Sequence, residues 1–78
     1  MAWLEDVTRH LAARSGIDAD ALALSAEDAQ TLLDIAGYAA HETGERTNAP
    51  LLCHVLGRAV GHGASLPDLD AAVREYRA

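Results

Sequence analysis

The residues predict an all-α domain: a compact bundle of four helices over about 2–15, 26–43, 49–62 and 66–77, the third of them central. Three observations lead there. Apolar residues recur every three or four positions along each segment. Capping and stop residues bracket those segments, with Ser25, Asn48 and Ser65 at the starts and Gly16, Gly44 and Gly63 past the ends. No repeat, low-complexity tract or linker interrupts the chain, so residues 1–78 read as a single helical domain.

In the first segment, Trp3, Leu4, Val7 and Leu11 fall on one arc, with Glu5, Asp6 and Arg9 outside it, which predicts an amphipathic helix buried along that arc. Arg14 suits its last turn, and Gly16 followed by Ile17 reads as a left-handed cap with a hydrophobic contact behind it. Asp18 and Asp20 open a short acidic connector, through Ala21 to Leu24, long enough for one helical turn.

Ser25 with Asp28 three residues on resembles a capping box, and Glu27 and Asp28 suit the positive end of the second helix. Its expected buried stripe is Ala29, Leu32, Leu33, Ala36, Ala39 and Ala40, opposite Gln30, Asp34 and His41. Asn48 is expected to cap the third helix, whose first turn tolerates Pro50 because the missing N–H has no partner there anyway. Leu51, Leu52, Val55, Leu56, Ala59 and Val60 make a broad apolar face, and Ala49, Cys53, Gly57 and Gly61 form a seam of small residues suited to close helix packing or a dimer contact. Ser65, Pro67 and Asp68 repeat the start signals, and Leu66, Leu69, Val73 and Tyr76 give the fourth helix its apolar side.

A chain of 78 residues is near the size at which folding removes only about 60% of the unfolded surface from water, so the core is small and a partner surface would help. The net charge of -6 is uneven: residues 1–45 hold nine acids against Arg9 and Arg14, and residues 46–78 hold three against Arg46, Arg58, Arg74 and Arg77. That sign, with no run of Lys or Arg, argues against nucleic acid. No leader-like segment and no apolar run approaching about 18 residues is present, so a membrane association is not expected and the cytoplasm is the default location. The lone Cys53 excludes an internal disulfide and fits a reducing compartment.

Candidate chemistry is sparse. His54 and His62 lie eight residues apart, about 12 Å along a helix axis, and no HExxH or CxxC occurs, so neither a metal site nor a cofactor is expected. Cys53 falls near a helix start that would favour a thiolate, but its small neighbours at 49, 57 and 61 suit packing better than catalysis. Ser25 superficially suggests an acyl carrier, yet Leu24-Ser25-Ala26 lacks that family's Asp-Ser-Leu triplet, and capping accounts for the serine. The junction of helices two and three is different. It collects Asp34, His41, Arg46, Asn48 and Pro50, with His41 and Arg46 favoured by the negative end of helix two and the start of helix three able to attract anions. It is the predicted contact site for a partner or a small anion.

The chain also resembles a small actinobacterial domain of unknown function that occurs alone or fused to molybdenum-cofactor guanylyltransferase. The resemblance rests on Leu32, Leu33, Asp34 and Ala36, then His41, Arg46, Ala49-Pro50-Leu51, and Leu56-Gly57 leading to Gly61, with Trp3-Leu4 and Gly16-Ile17-Asp18 in keeping. It spans about residues 1–63, and it departs at Leu52 and Cys53, where that family usually carries small hydroxyl residues. It implies a helical fold and an accessory role near molybdenum-cofactor maturation. Taken together, the residues point to a non-enzymatic, cytoplasmic interaction domain with a protein partner, a molybdenum-cofactor enzyme by the resemblance. The alternatives are a small-anion or nucleotide-cofactor binding module and a homodimeric structural protein joined through the seam.

Overall fold

A computed structural model describes residues 2–76 as five helical segments: α1 (Ala2–Ser15), α2 (Ala19–Leu22), α3 (Ala26–Thr43), α4 (Asn48–Gly61) and α5 (Leu66–Glu75). There is no strand among the described residues. Local chemistry accounts for the boundaries. Ser25 Oγ accepts from the Asp28 amide at 3.0 Å and Ser65 Oγ from the Asp68 amide at 3.2 Å, each satisfying a donor that the first helical turn leaves without a partner. Asp18 does the same for Asp20 at 2.9 Å and so turns the acidic connector into the single turn of α2. At the far end of α3, Gly44 adopts φ 71°, a conformation that L side chains resist, and its amide closes on the Ala40 carbonyl.

Three expected boundaries move, one of them the end of the third helix, which stops at Gly61 with His62 as its cap. Asn48 is not the cap of α4: it is the first helical residue, and Thr47 before it is already helical and makes no side-chain capping bond. The fourth helix stops at Glu75 because Tyr76 is extended, so its expected last turn is shorter; Arg77 lies outside the described residues.

The core sits where α3, α4 and α5 meet. Ile35, Leu56 and Leu66 are its buried centre, with Leu32, Leu52, Leu69 and Val73 packed around them. α4, the expected central helix, packs on both α3 and α5, and α3 shares that position by packing on both α4 and α5. This double cover keeps part of the expected stripe, with Ala39 buried and Leu32 packed on the core, but shifts the buried side of α3 to one edge of it. Ile35, outside that stripe, is fully buried, whereas Leu33, within it, is 64% exposed.

The first segment departs further. α1 packs against α2, and none of its Cα atoms comes within 8 Å of α3. Its one buried residue is Ala12, roughly a third of a turn from the apolar arc at 100° per residue. Trp3 is 76% and Leu11 55% exposed while Leu4 and Val7 are half-buried, so the arc expected to face the core is only partly covered. On α4 the apolar face is likewise too broad for its cover: Leu56 is buried, while Leu51, Val55 and Val60 are exposed. The particle measures 40 × 25 × 20 Å, longer than a sphere of this chain would be. No helix among the described residues is long and apolar enough to cross a membrane.

Candidate functional site

The α3–α4 junction is held by its own backbone. Thr43 Oγ1 donates to the Ala39 carbonyl at 2.7 Å and accepts from the Glu45 amide at 3.2 Å, and Gly44 reverses the chain between them. The Asn48 amide donates to the Glu45 carbonyl at 3.1 Å and the Ala49 amide to the Arg46 carbonyl at 3.2 Å. Pro50 has no N–H to offer. The amides expected to receive an anion at the start of α4 are therefore engaged or missing, which removes most of the donor set that the anion-binding alternative relies on.

His41 and Arg46 are both exposed, and no hydrogen bond or ion pair engages either side chain among the described residues. Asp34 accepts from Gln30 Nε2 at 2.9 Å and adds its charge to the field at Arg74, so it belongs to a different neighbourhood. Asp34 and His41 share one side of α3 about 10 Å apart along its axis. With the His41 and Arg46 side chains both exposed, the junction is an open polar surface.

The seam of small residues divides along its length. Ala49 and Cys53 are half-buried, and the Cys53 thiol faces the Leu32 carbonyl at 4.0 Å, so this end packs on α3. Gly57 and Gly61 are exposed, and a Cβ built on either would meet no atom within 4 Å, so no helix of the domain uses them for close approach.

Two concavities have no counterpart in the sequence expectations. The larger, about 710 Å³, lies between α3, α4 and α5 and is lined by Tyr38, Glu42, Thr43, Leu52, Val73 and Arg74 among others. The Arg74 guanidinium sits 4.8 Å from the centre of the Tyr38 ring and its Nε donates to Asp70 at 2.9 Å. The hydrogen bond to Asp70 leads among the influences that raise its pKa above the ordinary arginine value. The Asp70–Arg74 spacing of four was a readable pair, but Tyr38 is 36 positions from Arg74 in the chain and no local signal links them. The second concavity, about 520 Å³, separates α1 and α2 from the first half of α3. Among the described residues no three His, Cys, Asp or Glu side chains gather as metal ligands would.

Fold and surface together define a small all-α domain built on a three-helix core, with a polar junction and an apolar flank left in solvent. The chain belongs to the family described as Domain of unknown function (DUF6457), whose model matches residues 1–78. Searches of the curated proteins and of the solved structures each gave no match.

Proposed function

We propose that the domain is a non-enzymatic accessory module that docks onto a protein, and that the protein is a molybdenum-cofactor enzyme. One observation carries the interaction reading: large apolar side chains lie exposed on α1, α3 and α4, including Trp3, Leu11, Leu33, Leu51 and Val55, in a chain whose fully formed core is far smaller. Large apolar side chains left in water on so small a domain mark a surface that another can cover. His41 and Arg46 supply exposed polar groups that no hydrogen bond or ion pair engages among the described residues. The choice of partner follows from the resemblance to domains fused with molybdenum-cofactor guanylyltransferase, and actinobacteria are the expected source.

Sedimentation velocity of the domain mixed with purified molybdenum-cofactor guanylyltransferase is expected to show a complex heavier than either component. The double variant His41→Ala with Arg46→Ala, folded by circular dichroism, is expected to weaken it. Two independently sedimenting species at every ratio would overturn the choice of partner, and an undiminished complex with the double variant would remove the junction from the interface.

A further inference from the structure

We infer that the groove between α1, α2 and the first half of α3 receives an amphipathic helix with basic flanks from a protein partner. This rests on the interaction reading above and names the surface that reading would use. The groove has an apolar lining from Leu4, Ala23, Leu24, Ala29 and Leu33, and its volume is about 520 Å³. Trp3, Val7 and Leu11 do not line the groove, but they carry the apolar surface of α1 round from Leu4 on the same helix and span about 12 Å at the helical rise.

Charge selects among occupants. Residues 2–30 carry Glu5, Asp6, Asp18, Asp20, Glu27 and Asp28 against Arg9 and Arg14; the Arg9–Asp6 pair cancels within α1 and leaves five acids against Arg14. Glu5 and Asp20 lie in the groove wall itself, together with Arg9. A symmetric second copy seated here would bring the two acidic rims face to face, because a two-fold contact opposes each patch with itself. An anionic lipid surface is repelled for the same reason. An apolar helix edged with Lys or Arg satisfies both the strip and its rim, and the charges add to its rate of association and its selectivity.

Trp3 is the single tryptophan of the chain and reports directly on cover over α1. The probes are two designed helical peptides with the same leucine face, one flanked by Lys and Arg and the other by Glu, titrated into the domain at low salt. The basic peptide is expected to shift Trp3 emission to the blue and to bind about tenfold or more tightly than the acidic one, with the gap narrowing as salt is added. Leu33→Asp, helical by circular dichroism, is expected to weaken the basic peptide about tenfold, and Asp20→Lys to erode the preference between peptides. Equal binding of the two peptides, no binding of either, or an unchanged Trp3 spectrum would overturn the assignment. So would a concentration-dependent blue shift of the domain alone with a matching dimer mass, which would make a second copy the occupant. Leu33→Asp is also taken into the sedimentation test above. A complex that survives the substitution leaves the interaction reading standing and removes the groove, whereas absence of any complex with the unsubstituted domain counts against that choice of partner instead.

Discussion

α3, α4 and α5 close around Ile35, Leu56 and Leu66, whereas α1 and α2 between them bury only Ala12. The two halves have equally good local signals. Ser25 and Ser65 cap one half and Asp18 caps a turn in the other, and Gly16 and Gly44 end their helices in the same left-handed conformation. What differs is cover. A leucine-bearing stripe becomes core only where a second and a third helix lie against it, and α1 has α2 alone, a single turn too short to span it. A short helix in water owes most of its stability to such packing, so the N-terminal half is where the free domain is weakest and where a partner would add most.

The contrast is most easily broken at Ile35. Truncation by Ile35→Ala removes the fully buried side chain at the centre of the three-helix core and is expected to cost about 2–5 kcal/mol, enough to unfold much of so small a domain, as read by urea denaturation. A loss below about 1 kcal/mol would show that the core is elsewhere. Next in size are the caps: Ser25→Ala and Ser65→Ala are each expected to lower stability by about 1 kcal/mol, because each exposes one first-turn amide of a packed helix. Thermal melts of the two variants measure it.

Smaller effects sharpen the comparison. Gly57→Ala places a methyl group in open space on α4 and is expected to stabilise the isolated domain by about 0.5–1 kcal/mol, since a helical glycine gives up more backbone freedom than alanine. A destabilised Gly57→Ala domain, together with a dimer mass, would instead indicate that a second copy uses the seam. The smallest change is expected at Leu11→Ala, within about 0.5 kcal/mol, because Leu11 lies half in solvent on α1. A loss matching that of Ile35→Ala would erase the difference between the halves. Hydrogen exchange followed residue by residue gives the same contrast without substitution: α1 amides are expected to exchange before those at the centre of α3.

The helices themselves were legible. Spacing and caps placed 2–15 and 26–43 at the bounds observed, and the third and fourth helices to within a residue or two at their described ends. Less legible was which side of each helix is inside. Leu33 and Ile35 have similar apolarity, and only the seating of α4 and α5 on one side of α3 chooses Ile35. At the candidate site, the exposure of His41 and Arg46 followed from their places near a helix end, but the use of the Asn48 and Ala49 amides within the turn did not, because it depends on how the chain bends at Gly44. The Tyr38–Arg74 contact was beyond reach for a similar reason: its partners come from different helices.

By itself the order of residues determined the helical class, the segment boundaries and the acidic N-terminal half, because capping bonds, glycine turns and charge act over four or five neighbours. Tertiary structure alone decided which apolar stripe became core and which stayed in water. Burial is a property of two surfaces that meet, and for α1 no other long helix among the described residues supplies the second.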